Sequence, residues 1–265
     1  MGKIMRRTYL AIIAVFLIAP VMVIVAVSFN AKKFLSFPPK GFSLRWYVEI
    51  FADDAWFSSL ISSLVVAACS ATLAVAIALP IAYCLWRNGL IYARLLYGLG
   101  VTPFVLPPVI MALASLLFFT TVGMNGLMIN VIIAHAIFLA ALPLVTISMG
   151  LESVSKEIIE AGQTMGAKDS TIFKTITLPL VLPYLISGFA FAFVLSLNEY
   201  IIAFMTVGFT VETLPIKIFN ALRYGYTPVM ASVAGLFIVI NVVIFGLIGR
   251  FGNLPKLLGA QSEGR

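Results

Sequence analysis

Apolar residues in this chain come in long blocks rather than in alternation, and each block is closed by a polar, glycine- or proline-bearing break. A block with no polar stripe cannot be the outer helix of a water-soluble domain. Roughly 20 such residues at 1.5 Å rise cross the hydrocarbon core of a bilayer. The pattern predicts six spans, about Tyr9 to Phe29, Ser59 to Trp86, Leu95 to Thr120, Leu127 to Met149, Leu180 to Thr206 and Met230 to Ile248. They leave room for one membrane domain over residues 1–265 and for nothing else. The third span carries Pro103, Pro107 and Pro108, which either free carbonyls for a water-lined path or kink the helix for packing. Trp46, Tyr47 and Trp56, in the polar segment after the first span, suit a membrane interface.

The most informative stretch is the polar break between the fourth and fifth spans. Four of the chain's ten carboxylates (Glu152, Glu157, Glu160, Asp169) fall there, with Lys156, Lys168 and Lys174. Ser155 is placed to cap a helix whose first turn holds Glu157, where the positive dipole end favours an acid. Gly166 is a C-terminal stop suited to the left-handed conformation. Asp169 or Ser170 then caps a second short helix, Thr171 to Ile176, which Leu178-Pro179 ends. Two short helices joined at a glycine form a water-facing platform shaped to meet another protein.

Composition sharpens this picture. With 62 % hydrophobic and 10 % charged residues the chain lies far from a soluble domain, where about a quarter of residues are charged. The net charge of +7 is not a nucleic-acid signal, because the cations sit at span ends and form no stripe with interleaved aromatics. With the N-terminus inside, Lys3, Arg6, Arg7, Arg87, Arg94, Lys156, Lys168, Lys174, Arg250, Lys256 and Arg265 fall on the inner side. Lys32, Lys33, Lys40, Arg45, Lys217 and Arg223 fall outside; eleven against six predicts both termini in the cytoplasm. The basic lead before Tyr9 resembles a signal peptide, but its apolar run is long and no A-x-A-like site closes it, so it reads as a retained span. Cys69 and Cys84 share one helix about 22 Å apart, which no disulfide bridges.

No G-x-x-x-x-G-K-S/T loop is present, so any ATP must be hydrolysed by another subunit. No spacing indicates a metal site, and nothing assembles a catalytic set: His135 lies mid-span, and the acid nearest to it in kind, Glu199, is far along the chain. His135 reads as a helix–helix hydrogen bonder. Glu199, flanked by Asn198 and Tyr200, is the single carboxylate predicted within a span. A charge there costs about 2.5–3.5 kcal/mol on the insertion scale, so it should face protein or an aqueous cavity. Two readings stand for it: a fixed anion on a cation's path, or the partner of a Lys or Arg on another subunit.

Glu160-Ala161-Gly162, Gly166, Ile176 and Leu178-Pro179 are spaced as in the EAA signature of binding-protein-dependent ABC importer permeases, with Gly162 where the family has Ala. Ser28-Phe29-Asn30, Gly41 to Tyr47 and Leu214 to Phe219 further resemble the C-type permeases of spermidine/putrescine importers, in which the position matching Glu199 is also acidic. The resemblance implies an all-α inner-membrane permease of a bacterium whose platform is the coupling-helix pair that docks on an ATPase. It implies a second permease, two ATPase subunits holding ATP and Mg, and a soluble binding protein, with no cofactor on this chain. The implied cargo is a polyamine or related amine; permeases for opines, thiamine and other solutes share much of the pattern. A secondary carrier would show two matched halves and more ionisable groups within its spans, and a membrane-embedded enzyme would need the catalytic set that is missing.

Overall fold

Backbone amides without water must bond within their own segment, so long apolar blocks fold as helices. A computed structural model of the chain describes residues 2–208, 210–224 and 227–251, and these are helical apart from connecting turns and one isolated bridge, Asn30 to Phe42. Lys256 and Arg265, counted above on the inner side, lie outside the described residues. The helices are α1 (Lys3–Ser28), α2 (Arg45–Ala52), α3 (Asp54–Asn88), α4 (Ile91–Val105), α5 (Pro108–Thr121), α6 (Met128–Leu139) and α7 (Ala141–Glu152). They continue with α8 (Lys156–Thr164), α9 (Asp169–Ile172), a π-helical turn (Phe173–Thr177), α10 (Leu178–Asn198), α11 (Ile201–Val207), α12 (Leu214–Tyr224) and α13 (Val229–Phe251). Among the described residues four helical stretches are long and apolar enough to cross a membrane, and up to six if each of two bent pairs is one span.

Both bends have local causes. Between α4 and α5 the axis turns by 110°. Leu106 and Pro107 are forced into extended backbone (ψ 147° and 134°) because each precedes a proline. The third predicted span is therefore not one rod. Between α6 and α7 the axis bends by 45°, where Pro143 has no N–H to return to Leu139.

The chain divides into two compact units. The first comprises Met1–Leu60 with Lys217–Val242. Here α1 exposes nearly every side chain from Ile4 to Ile24, as an apolar rod does only when lipid or another chain covers it. The loop after it is organised by the buried side chain of Asn30. Its Nδ2 donates to Phe34 O and Ser36 Oγ (both 2.8 Å), and its Oδ1 accepts from Lys40 N (3.0 Å). Trp46 and Trp56 are buried rather than presented as free interface anchors. The Trp46 indole donates to Asn30 O at 2.6 Å, the Tyr47 hydroxyl meets Ser28 Oγ at 2.8 Å, and Lys217 lies over the Trp56 ring. Each aromatic has found an internal polar partner, which fixes it in the fold.

The second unit, built around Ile61–Ile216, holds the platform and the buried polar residues singled out above. Helices α7 and α10 approach closely at glycines: a Cβ on Gly150 would fall 2.7 Å from the Tyr184 ring, and one on Gly188 would fall 2.8 Å from Pro143 Cα. Leu144, Ile147 and Leu151 of α7 share one apolar cluster with Val181, Tyr184 and Leu185 of α10. Ile159 of α8 and Ile172 of α9 belong to the same cluster. The platform is thus packed into the bundle.

The platform differs from its sequence reading at three points. Ser155 holds the N-cap position, yet its hydroxyl donates to Glu157 rather than accepting from the backbone. That bond keeps the exposed Glu157 carboxyl below the usual carboxylate range. Lys168, not Asp169 or Ser170, is the N-cap of α9, because the Asp169 carboxylate turns to Arg87. Leu178-Pro179 does not end the helix. The π-helical turn absorbs the proline, whose missing N–H falls where the wider register needs no α-type bond, so helix runs from Asp169 to Asn198.

Gly162 tests how well α8 packs. A Cβ there would sit 3.4–3.6 Å from Ile172 and Ile176, ordinary contact. Gly162→Ala should therefore raise stability by about 1 kcal/mol through helix propensity, seen as a higher melting temperature in detergent. A lower one would show the α8–α9 contact to be tighter than described.

Candidate functional site

Two groups of residues in the second unit are built for more than packing. The first is the platform surface. Gly166, at φ +80°, closes α8 with paired bonds, Gly166 N to Gln163 O (2.9 Å) and Ala167 N to Gly162 O (3.1 Å). This is the 5→2 and 6→1 pattern of a Schellman stop. The turn leaves Met165 87 % exposed, an unusual position for a methionine in a charged segment. Glu160 and Ala161 are exposed on α8. Ile176 and Leu178 are half-buried against the apolar cluster, and Pro179 is exposed. The signature residues therefore divide into a displayed set and a set that holds the display in place. Glu160 lines a cleft of about 540 Å3 with Trp86, Arg87, Glu152, Lys156 and Gln163 among others. Arg87 at the end of α3 closes one side of it through a 3.0 Å ion pair to Asp169. That pair, 82 residues apart in sequence, had no local signal. With both side chains partly exposed it contributes at most about 1 kcal/mol, but it ties α9 to α3.

The second group is a buried row across α6 and α10. Helix α10 ends at Asn198, and Glu199 is extended at ψ 128° before α11 begins. The predicted fifth span is broken here, and the reason is visible in the bonding. The Glu199 carboxylate caps α11: Oε1 and Oε2 accept from Ile202 N at 2.9 and 3.0 Å, and Oε2 accepts from Ala203 N at 3.1 Å. An acid at a helix N-terminus satisfies amides that would otherwise lack partners and complements the dipole. Helix α11 is short, and this carboxylate is what starts it.

His135 lies buried on α6, with its Nε2 at 3.1 Å from Glu199 Oε2 and its Nδ1 at 2.8 Å from Ser196 Oγ. The sequence reading of His135 as a helix–helix bonder holds, but the separation it drew between His135 and Glu199 does not. The fold brings together residues 64 positions apart. The Glu199 side chain is 10 % exposed. Asn198 is exposed and bonds back to Val194 O at 2.7 Å, and the Tyr200 ring stacks on Phe204 at 5.4 Å. Ser196 was not singled out from sequence. Its i, i+3 spacing to Glu199 is the signal that was available.

Comparison with known proteins places these features in context. Residues 74–253 match the family model described as binding-protein-dependent transport system inner membrane component. The putrescine transport system permease protein PotI of Escherichia coli is 34 % identical over 255 residues, covering 94 % of this chain and 88 % of that protein. The spermidine/putrescine transport system permease protein PotC of Haemophilus influenzae is 30 % identical over 253 residues, covering 94 % and 98 %. Among solved structures, a bacterial ABC transporter for import of the acidic polysaccharide alginate superposes with a TM-score of 0.70 at 16 % identity, over 94 % of this chain and 95 % of that one. The MetNI methionine ABC transporter gives 0.61 at 21 % identity, over 75 % and 97 %. These two likenesses speak for the fold.

Proposed function

The chain belongs to the family of binding-protein-dependent transport system inner membrane components, and from that premise we propose that it forms half of the path by which an ATP-driven importer takes up a polyamine. It is a multi-pass inner-membrane permease subunit of an ABC importer. A second permease, a pair of ATPase subunits and a soluble binding protein complete the assembly, and ATP and Mg bind the ATPases. Both termini and the platform face the cytoplasm, in keeping with the distribution of Lys and Arg. Residues 1–265 act as a single membrane domain.

The observation that carries the cargo assignment is Glu199, a largely buried carboxylate at a helix break in the bundle. A diamine must shed water to cross, and a fixed carboxylate in a low-dielectric passage offsets part of that loss. Asn198 and the face of Tyr200 flank it as hydrogen-bonding and cation–π groups. The names of the two relatives described above, both polyamine permeases, support the same choice over an opine or thiamine.

Coupling belongs to Glu160, Ala161, Gly162, Gly166, Ile176, Leu178 and Pro179. The exposed Met165 turn and Glu160 meet the ATPase, and the apolar cluster shared by α7, α8, α9 and α10 passes its displacement to the bundle. Gly166→Val tests this. No neighbour lies within 4 Å of a Cβ there, so the strain is wholly in the backbone at φ +80°, about 1–2 kcal/mol. In proteoliposomes the assembled complex should keep hydrolysing ATP while uptake per ATP falls severalfold. Unchanged uptake per ATP would remove the turn from the coupling path.

A further inference from the structure

The hydrogen bonds around Glu199 are unevenly shared between its two oxygens, and this asymmetry says more about the site than the presence of the acid does. Among the described residues Oε2 accepts from His135 Nε2, Ile202 N and Ala203 N, whereas Oε1 accepts from Ile202 N alone. A carboxylate offers about two acceptor positions on each oxygen. Oε2 is therefore saturated, and Oε1 keeps an open position. His135 is in turn clamped: Ser196 Oγ on one side of the ring and Glu199 Oε2 on the other come from the same end of α10, three residues apart. A carboxylate oxygen can only accept, so Nε2 carries the hydrogen that it donates to Oε2, and Nδ1 pairs with the Ser196 hydroxyl. The carboxylate fixes which nitrogen donates to it, and the serine, able to donate or accept, holds the other edge of the ring.

We propose that His135, oriented by Ser196, is a positioning residue that occupies Oε2 of Glu199 together with the α11 amides and so presents Oε1 as the acceptor for a substrate ammonium group. Without the imidazole, the carboxylate can rotate to divide the two amides between its oxygens, and the open acceptor position no longer points one way. The relay also explains a buried histidine and a buried serine that packing alone does not require. The inference rests on the cationic-substrate reading of Glu199 for its transport consequence, but its structural content can be tested separately.

The test uses the full importer, assembled with its partner subunits in proteoliposomes, with putrescine as the probe. His135→Leu should raise the KM for putrescine by about tenfold, the effect of one hydrogen bond to a charged group, with less change in kcat. His135→Gln, whose amide N–H can reach the same oxygen, should restore most of the affinity, and Ser196→Ala should fall between wild type and His135→Leu. In a Glu199→Gln background the His135→Leu effect should vanish; an equal effect there would mean His135 acts through packing and would overturn the proposal. Labelling of Glu199 by a hydrophobic carbodiimide, read by peptide mass spectrometry, reports the positioning without reference to cargo. It should be low in wild type and rise severalfold in His135→Leu. Unchanged labelling overturns the proposal whatever the transport result. Raised labelling together with normal putrescine uptake by Glu199→Gln would uphold the positioning and reject the cationic-substrate reading.

Discussion

Replacing Glu199 by Gln should lower ATP-driven uptake of putrescine by tenfold or more while leaving the amount of assembled complex unchanged. The substitution keeps the size of the side chain and leaves an amide oxygen to accept from Ile202 and Ala203. Its NH2 group can turn to His135, because the Ser196 hydroxyl is able to accept as well as donate and so permits the other imidazole tautomer. What is lost is the charge. Its cost to the α11 cap is about 0.5–1 kcal/mol, too little to unfold a bundle of this size. Its cost to a desolvated ammonium is larger, about 1.5–3 kcal/mol for one charged hydrogen bond, and polyamine uptake should register the difference. The control is ATPase activity stimulated by the loaded binding protein on the same preparation. Normal uptake would take the carboxylate off the path, and failure to assemble would make it a structural cap alone.

The second large effect is expected far from any polar group. Gly188→Val should abolish accumulation of the folded complex. A Cβ at Gly188 lies 2.5 Å from Thr146 Oγ1 and 2.8 Å from Pro143 Cα. Thr146 is held by its bond to Leu142 O (3.0 Å), and Pro143 Cα is backbone, so neither yields by rotating a flexible end. Overpacking of this kind costs about 1–3 kcal/mol in soluble cores. Here it would also part α7 from α10, the contact on which the platform is seated. Detergent-solubilised yield and monodispersity measure it directly. A fully assembled Gly188→Val complex would show that α7 and α10 can separate without loss.

Much of this was legible in the sequence, and the failures have physical causes. Apolar block length alone located the membrane-crossing material, because a bilayer sets helix length with little help from packing. The left-handed Gly166 was legible too, since few residues other than glycine adopt that conformation. Pro143, by contrast, was passed over as a bend, although its missing N–H costs the helix a bond to Leu139 and bends it by 45°. Leu178-Pro179 misled in the other direction: a proline marks the end of an α-type ladder, and the chain continued by changing register to a π turn. Asp169 was assigned to a cap because local rules consider only neighbours, while its partner Arg87 arrives from another helix. The partners of Trp46 and Trp56 were hidden for a similar reason. Sequence shows the amphipathic character of the two rings but not that Asn30 and Lys217 would satisfy it internally.

The buried row shows the same limit most clearly. Glu199 was found because an acid in an apolar block is conspicuous. Its partners were not found, because His135 meets it only through the pairing of α6 with α10. The break in the fifth span follows from that chemistry: a carboxylate that accepts from Ile202 and Ala203 must leave the helix it ends and start another.

The most direct measurement of the central claim is uptake of labelled putrescine into proteoliposomes holding this chain with its partner permease and ATPase subunits. The loaded binding protein is supplied outside and ATP inside. The account predicts accumulation that requires both ATP and the binding protein, competes with spermidine and is lost when this chain is omitted. Putrescine accumulation by this chain alone, driven by an ion gradient without ATP, would contradict it.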